Sequence, residues 1–333
     1  MNITKNFCHM ALALIFTLFL VSCAEKKNRL TSIAVFAPGI LADSPVYQML
    51  ADGVKEAVEE YNAGTEKVKL TILEAGTNQA EWGNKITSLA AAGTFDVIIS
   101  SNPSLPDLVT PLTKQFPSQK FILLDAFAQG NDSIATVQYN QTEQSYLTGA
   151  IAALMSKKHK IGLLAAQEYP VMNNIILPGF QKGAQDVISG TTVDFRIVGN
   201  WYDASKGAEL ASAMNNAGCD VILPICGGAS QGVISAAKEK GFFITWFDSN
   251  GFSKAPGIII SSTVMHQQKM AKEVTSEFLL GKTEWGVAKT VGIKEGYIEF
   301  VQDDPLYIQV VPQEIREKMA DLLASIKDGS LKL

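Results

Sequence analysis

The sequence is poor in the residues that nucleic-acid surfaces and most catalytic centres require. It has three arginines among 333 residues, and its 28 Lys and Arg are outnumbered by 33 Asp and Glu, for a net charge of −5. A surface that binds nucleic acid needs a dense basic stripe, so this balance argues against a nucleic-acid partner. Three histidines and four cysteines also limit metal sites and nucleophilic catalysis. With 47% hydrophobic residues, the chain is long enough for about two domains with cores of their own.

Several motifs of common enzymes and nucleotide-binding loops are missing as well. The sequence has no G-x-x-x-x-G-K-[ST] loop, no H-E-x-x-H pair and no C-x-x-C pair. Residues 227–232 are rich in glycine but lack the lysine of a phosphate-binding loop. His266 near the predicted cleft makes no triad on its own. We therefore expect no enzyme, no cofactor and no metal site, and an α/β hydrolase or dehydrogenase is the less favoured alternative.

The first 22 residues are typical of an export signal. Lys5 supplies a positive charge, and residues 10–20 form an apolar run with one threonine, about half as long as the roughly 20 residues that span a bilayer. The run ends in Leu-Val-Ser-Cys at 20–23, which resembles a bacterial lipobox. That resemblance implies cleavage before Cys23, a lipid on its sulfur and a short polar tether over 23–30. The alternative is an unprocessed signal anchor with an incidental cysteine.

Two cysteines, Cys219 and Cys226, remain in the globular part of the chain. They flank an apolar stretch typical of a strand, and a strand of that length holds them about 23 Å apart. A disulfide cannot bridge that distance. We expect both to be buried thiols that behave as small hydrophobic residues.

From residue 30 onward, short apolar runs alternate with helical patterns. Five predicted strands lie between 32 and 138, and the rhythm starts again with a helix predicted to begin at 146. Apolar strands spaced by helices are typical of parallel sheets buried on both faces. The sequence therefore predicts an α/β protein of two doubly wound lobes. Lobe 1 covers 31–140 and regains part of 250–333, and lobe 2 covers 141–249.

Polar and aromatic residues collect where the predicted strands end, which is where open α/β sheets bind ligands. Asp125 and Asp248 follow strongly apolar runs at equivalent places in the two halves, and this pairing indicates a ligand role for both. For Asp43, at a helix start, helix capping is an equally good explanation. The other candidate ligand-binding residues are Tyr47, Gln48, Asn102, Gln141, Gln167, Trp201, Gly227, Asn250 and Met265.

Several stretches together resemble the basic membrane protein family of solute-binding lipoproteins, whose best-known members bind purine nucleosides for an ABC importer. The matching stretches are D-S-x-x-Y-Q-x-x-x-D-G-V from Asp43, K-F-I-L-L-D ending at Asp125, E-x-x-Y-L-x-G from Glu143, P-G-F-x-x-G-A from Pro178 and W-x-D-x-x-K-G-x-E-L from Trp201. The last block has three parts: G-x-D-V-I from Gly218, G-G-x-x-x-G-V from Gly227, and the pair Asp248-Ser249. The resemblance covers nearly the whole mature chain. It implies a type I periplasmic-binding-protein fold, in which two α/β lobes joined by three crossings close on a ligand.

The sequence departs from the nucleoside binders at three places. They carry an Asp-Asn pair where this chain has Ala37-Pro38, a base-stacking Phe where it has Val46, and a ribose-binding Lys where it has Met265. A site built to hydrogen-bond a group leaves polar atoms unpaired when that group is missing. The departures therefore indicate a remodelled ligand, while Asp125 and Asp248 persist.

The sequence looks most similar to a spirochaete branch of the family that binds riboflavin. The isoalloxazine ring needs a wide apolar slot with aromatic faces and neutral hydrogen-bonding groups. Aromatic faces are available from Tyr47, Trp201, Tyr202 and Trp246, and neutral groups from Gln48, Asn102, Gln141, Gln167 and Asn250. Burial in the core is the stronger explanation for Trp246, whereas Tyr47 and Trp201 suit either role equally.

We therefore expect a monomeric, lipid-anchored receptor that binds riboflavin as its transported ligand. It would deliver riboflavin to a separate ABC permease and ATPase from the periplasmic face of the inner membrane. A purine nucleoside is the alternative ligand. A surface protein that binds host or matrix components is a further alternative.

Overall fold

Twelve strands of the described chain, residues 30–65 and 67–333 of a computed structural model, form two six-stranded sheets. The predicted signal sequence, the lipidation site at Cys23 and most of the tether lie outside the described residues. In the first sheet the strand order is β11-β5-β4-β3-β1-β2, and in the second it is β12-β10-β9-β8-β6-β7. The strands are β1 (Thr31–Ala37), β2 (Val68–Glu74), β3 (Val97–Ser101), β4 (Lys120–Leu124), β5 (Ile134–Tyr139), β6 (Lys160–Ala165), β7 (Thr192–Ile197), β8 (Val221–Ile225), β9 (Phe243–Trp246), β10 (Ile259–Met265), β11 (Ala288–Val291) and β12 (Ile298–Phe300).

The central strands pair in parallel and are buried throughout. β3 lies parallel to both β1 and β4, and β8 lies parallel to both β6 and β9. Every residue of β3 and of β8 is buried, as expected for strands covered by helices on both faces. β12 is the exception to the parallel pattern, because it runs antiparallel along β10 at the edge of the second sheet. The predicted α/β class with two doubly wound sheets is confirmed.

Ten α-helices cover the sheets within the described residues. They are α1 (Pro45–Tyr61), α2 (Trp82–Ala91), α3 (Leu105–Gln115), α4 (Gln141–Met155), α5 (Leu177–Val187), α6 (Ala204–Asn216), α7 (Ser230–Lys240), α8 (Gln267–Leu279), α9 (Pro305–Val310) and α10 (Gln313–Asp328). Local sequence explains several of their ends. The Ser44 side chain accepts a hydrogen bond from Tyr47 N at the start of α1, where Pro45 occupies the first turn. α7 ends at Gly241, whose φ of 76° suits glycine.

The described chain passes between the two sheets three times. α4 leads from β5 in the first sheet to β6 in the second, and α8 leads from β10 back to β11 in the first. Residues 292–297 then return the chain to β12 in the second sheet. The division into lobes at 140 and 249 stays a prediction, because Ser32–Leu333 forms one compact unit.

Some local features differ from the sequence-based expectation. α4 begins at Gln141, five residues before the predicted start, so its first turn lies beside the cleft. A π-helical turn at Met172–Ile176 precedes α5, and the two short strands β11 and β12 were not predicted. Cys219 and Cys226 are both free, buried thiols.

Helices α4 and α5 pack with their backbones in close approach. A Cβ atom added at Gly149 of α4 would overlap the carbonyl oxygen of Phe180 in α5, and one added at Gly183 of α5 would overlap the carbonyl oxygen of Tyr146. Both glycines are therefore needed to bring these helices together.

We expect Gly149→Ala to destabilise the protein by about 3 kcal/mol, because the new methyl group meets backbone that cannot move aside. The measurement is the free energy of unfolding from urea titration. Gly83→Ala in α2 is the matched control, since its added Cβ would lie 3.7 Å from Leu108 Cδ2, an ordinary contact. The control should be neutral or slightly stabilising, because alanine is the better helix former. Equal stability of the two variants would contradict the close packing.

Candidate functional site

A cavity of about 480 Å³ lies where the carboxyl ends of the strands of the two sheets face each other. This volume falls in the range of pockets that enclose small organic ligands. Ten of the predicted ligand-binding residues line it: Asp43, Tyr47, Asn102, Asp125, Gln141, Gln167, Trp201, Gly227, Asp248 and Met265. The sequence therefore placed the cavity correctly, although contact of any of these residues with a ligand stays a prediction.

Asp125 and Asp248 occupy equivalent, strained backbone positions. Asp125 follows β4 with a φ of 49°, and Asp248 lies two residues beyond β9 with a φ of 69°. The left-handed region is uncommon for residues other than glycine, although Asp and Asn tolerate it best. Such conformations cluster at functional sites, where the surrounding structure holds them in place. Here the turns direct one carboxyl group from each sheet into the same cavity.

The first turns of α4 supply an amide donor to each of these carboxyl groups. Gln141 Nε2 donates to Asp125 Oδ1 at 3.2 Å, and Gln144 Nε2 donates to Asp248 Oδ1 at 3.0 Å. The two glutamines are three residues apart and so share one face of the helix. A single helix therefore holds both carboxyl groups, one from each sheet.

Burial raises the pKa of both carboxyl groups. The pKa of Asp125 is well above its ordinary value, first because burial disfavours the charged form and second because the charge of Asp248 repels it. Burial raises the pKa of Asp248 to about 6, although the hydrogen bond from Gln144 favours its carboxylate. The pair therefore carries less than two full charges near neutral pH.

Aromatic side chains form much of the cavity wall. Tyr169 and Trp201 lie with their ring centroids 6.4 Å apart and tilted by 42°. Tyr47 presents its hydroxyl to Asn102 Nδ2, which donates to it at 3.1 Å. Trp82, Tyr202, Trp246 and Phe247 also line the cavity. Burial raises the pKa of Tyr47 and Tyr169, so both hydroxyls stay protonated and available as donors.

Glycines let two of the aromatic rings approach the backbone. Gly227 has a φ of 55°, and a Cβ added there would lie 3.3 Å from Trp201 Cε3 and 3.0 Å from the Trp201 carbonyl oxygen. A Cβ added at Gly251 would overlap the ring of Trp246, whose Nε1 donates to Ser249 Oγ at 3.1 Å. Trp246 is half-buried and lines the cavity, so it combines packing with exposure to the site.

One hydrogen bond joins the two sides of the cavity rim. Gln167, which follows β6 of the second sheet, donates from Nε2 to Gln79 Oε1 at 3.1 Å. Gln79 lies just before α2, on the side of the first sheet. The two sides therefore already touch at this point in the structure.

Met265 ends β10 at the base of the cavity. It is 1% exposed, and its sulfur lies 3.9 Å from Gln141 Nε2. A neutral, apolar side chain thus packs beside the amide that holds Asp125. Among the described residues, the cavity lining contains five acidic side chains and one basic side chain, Lys254.

Two predicted residues do not line the cavity. Gln48 is exposed on α1, and its amide donates to Asp52 Oδ1 at 2.9 Å, one helical turn away on the same helix. Asn250 is exposed beyond the strand end, where its amide donates to Asp304 Oδ2 at 3.1 Å. In this structure both amides have carboxylate partners outside the cavity lining, and a ligand role for Gln48 and Asn250 stays a prediction.

Sequence reasoning also missed residues that matter to the site. Tyr169, four residues after β6, lines the cavity, and Gln144 lies behind it within the core. Residues 228–232 read G-x-S-x-G between a strand and a helix, a pattern that occurs at nucleophilic serines. Here the Ser230 hydroxyl lies 3.3 Å from Cys226 Sγ, and the imidazole of His266 pairs with Glu299 instead. The serine has no base to activate it among these contacts.

In residues 30–65 and 67–333, no group of three His, Cys, Asp or Glu side chains is placed to hold a metal ion. Within the same residues, no helix is both long enough and apolar enough to cross a bilayer.

The chain is similar to a family of transport proteins. Residues 30–330 match the family model Bmp, described as ABC transporter substrate-binding protein PnrA-like. The nucleoside-binding protein BmpA of an ABC transporter in Lactococcus lactis is 25% identical over 247 residues, which are 68% of each chain. Basic membrane protein A of Borreliella burgdorferi is 26% identical and covers 92% of this chain and 90% of its own. An ABC solute-binding protein from Aeropyrum pernix has the same fold, with a TM-score of 0.75 at 20% identity over 91% of this chain and 93% of its own.

We expect Asp248→Asn to stabilise the ligand-free protein at pH 7.5 by about 2–3 kcal/mol. The folded-state pKa of about 6 lies above the unfolded value, so ionisation costs stability as the pH rises from about 4 past 6. Asparagine tolerates the positive φ and removes that charge. Thermal unfolding at pH 4, 6 and 7.5 measures the effect, which should disappear near pH 4. The exposed substitution Asp321→Asn should show no such trend, and a variant that parallels the parent at every pH would contradict the raised pKa.

Proposed function

The chain belongs to the Bmp family of PnrA-like ABC transporter substrate-binding proteins, and we propose that the solute it binds is riboflavin. The protein is a binding component of a transporter and not an enzyme. Its partners are a small-molecule ligand and the permease and ATPase of an ABC importer. The assignment of riboflavin as the ligand goes beyond family membership and depends on the chemistry of the cavity.

The observation that carries the proposal is the combination of aromatic walls with uncharged amides. Seven aromatic side chains among the described residues line the cavity, and Asn102, Gln141 and Gln167 add neutral donors and acceptors. A flat tricyclic ring gains from stacking on such walls, at about 1–3 kcal/mol for each stacked face. Its polar edge alternates carbonyl and imide groups, which neutral amides can match without burying an unpaired charge.

The carboxyl groups at the base of the cavity suit the rest of the ligand. Ionised Asp248 accepts hydrogen bonds, and a protonated Asp125 can also donate one. The ribityl chain of riboflavin carries several hydroxyls that serve as donors or acceptors. The molecule is uncharged, so it brings no charge that would need a buried counter-ion.

A purine nucleoside is the second candidate. It is favoured by the Lactococcus lactis relative, which is named as nucleoside-binding, and by the presence of two carboxyl groups in the cavity. Against it, Val46 and Met265 occupy cavity positions at which the resemblance implies an aromatic ring and a lysine. A buried methionine cannot donate a hydrogen bond to a ribose hydroxyl.

The ligand can be identified on residues 24–333, which lack the anchor cysteine, purified without added ligand. We expect a yellow protein that releases riboflavin on denaturation, recorded by visible absorbance and mass spectrometry. After the ligand is removed, Asp125→Asn should bind riboflavin about tenfold more weakly than the parent, because a carboxyl group that hydrogen-bonds the ligand is lost. Asp321→Asn, far from the cavity lining, serves as the control. Release of a purine nucleoside would overturn the riboflavin assignment and leave the family membership intact.

We expect flavin mononucleotide to bind at least about tenfold more weakly than riboflavin, although the two share the same ring system. The added phosphate would enter a cavity lined by five acidic side chains and Lys254 as its basic one, counted over the described residues. Burying that charge without a partner is unfavourable. Quenching of flavin fluorescence measures both affinities. Equal affinities at low ionic strength would contradict the electrostatic argument.

We further propose that the mature protein is held by lipid on Cys23 at the periplasmic face of the inner membrane. The support is the sequence pattern at residues 1–23, and lipid on a single cysteine with two or three acyl chains suffices for stable anchoring. Of the chain's other cysteines, Cys219 and Cys226 are buried and so do not compete for the lipid.

The anchor is tested by expressing the full chain in a bacterium that processes lipoproteins and labelling it with radioactive palmitate. We expect the label on the parent and on Cys219→Ser, and both should partition into detergent. Cys23→Ser should lose the label, because no other accessible cysteine carries the lipid. A labelled Cys23→Ser variant would contradict the assignment of the anchor.

A further inference from the structure

We propose that Gln144 is a positioning residue of the binding site, which orients the Asp248 carboxylate and keeps it ionised so that it accepts a hydrogen bond from the ligand. The proposal rests on the proposed function only in taking the cavity as the ligand site. Gln144 itself lies outside the cavity lining and is 0% exposed, so it acts through Asp248.

The amide nitrogen of Gln144 has two acceptors. Nε2 donates to Asp248 Oδ1 at 3.0 Å and to Thr263 Oγ1 at 3.1 Å. Thr263 lies on β10, is 0% exposed and contacts the Trp246 carbonyl oxygen at 3.4 Å. The amide therefore bridges two neighbouring strands of the second sheet and fixes the orientation of the carboxyl group that follows one of them.

The other end of the same amide is not satisfied. Among the described residues, Gln144 Oε1 is buried and has no hydrogen-bond partner. A buried polar atom without a partner weakens a fold, so an apolar side chain of the same size would suit this place in the core better. The amide nitrogen, in contrast, donates a hydrogen bond to Asp248, a carboxyl group of the cavity.

The other groups around Asp248 do not stabilise its charge. Asp125 from the turn after β4 shares the cavity, and its own pKa is raised by burial and by the charge of Asp248, so it brings no positive charge to the pair. Tyr139 from β5 and Tyr169 from the loop after β6 face the pair as neutral hydroxyls. Lys254 lines the cavity but lies over the Trp246 ring, 5.6 Å from its centroid. The Gln144 hydrogen bond is thus what opposes the effect of burial on Asp248.

The test is the titration of the Asp248 carboxyl carbon by ¹³C NMR in ligand-free protein, with the resonance assigned through its loss in Asp248→Asn. Gln144→Met keeps the shape of the side chain and removes the donor. We expect it to raise the titration midpoint by about one pH unit, because the ionised form loses its hydrogen bond. At pH 6.5, riboflavin affinity should fall about threefold, in proportion to the ionised fraction of Asp248, and the loss should shrink at pH 8.5, where Asp248 ionises in both proteins.

Gln267→Met is the matched control. Gln267 is also a 0% exposed glutamine, and it bonds to the hydroxyls of Tyr139 and Ser101 rather than to a carboxyl group. Its replacement should lower the melting temperature and leave the Asp248 midpoint unchanged. If Gln144→Met does not fold, Gln144→Asn replaces it, since the shorter amide keeps the polarity but does not reach Asp248.

The outcomes separate the two proposals. An Asp248 midpoint that is the same in parent and Gln144 variants overturns the positioning role, whatever the ligand. A raised midpoint in a protein that does not bind riboflavin supports the role of Gln144 and rejects the riboflavin assignment. An equal shift in Gln267→Met would show a general effect of core disruption and would also overturn the proposal.

Discussion

Two carboxyl groups share the base of one cavity with no buried cation between them among the residues that the structure describes, and much of the surrounding structure serves to hold them there. Burial opposes the ionisation of both groups, and the charge of Asp248 adds to this effect at Asp125. The fold meets this constraint with hydrogen bonds from amides, which stabilise a carboxylate without adding a charge. A lysine at position 265 would add a positive charge beside the pair, whereas the methionine found there adds none.

Helix α4 contacts both carboxyl groups and also carries the chain from the first sheet to the second. Its first turns donate to Asp125 through Gln141 and to Asp248 through Gln144. Glu143, between them, accepts a hydrogen bond at 2.8 Å from Ile293 N, in the segment that leads to β12. The first turns of α4 therefore contact both carboxyl groups and two of the three crossings of the chain between the sheets. A movement of the sheets against each other would change these contacts.

Periodicity and strand ends were enough to predict most of the fold and the position of the cavity. Buried parallel strands are predictable because each is a continuous apolar run, as in β3 and β8, in which every residue is buried. β11 and β12 were missed because they have four and three residues and carry polar side chains, which makes them indistinguishable from loops. The early start of α4 was missed for a related reason: its first turn, from Gln141 to Ser145, is polar in sequence and yet largely buried.

The same physics explains which site residues could be predicted. Asp125 and Asp248 stand out because a carboxyl group directly after an apolar run is unusual, whereas Gln144 resembles any surface glutamine of a helix. Gln48 and Asn250 have the right chemistry and the right neighbourhood in the sequence, but Gln48 donates to Asp52 one turn along its helix, and Asn250 donates to the distant Asp304. Spacing along a chain identifies the edge of a sheet at which ligands bind. Spacing does not show which amide at that edge points into the cavity. The direction of each amide is set by packing between elements that are distant in the sequence.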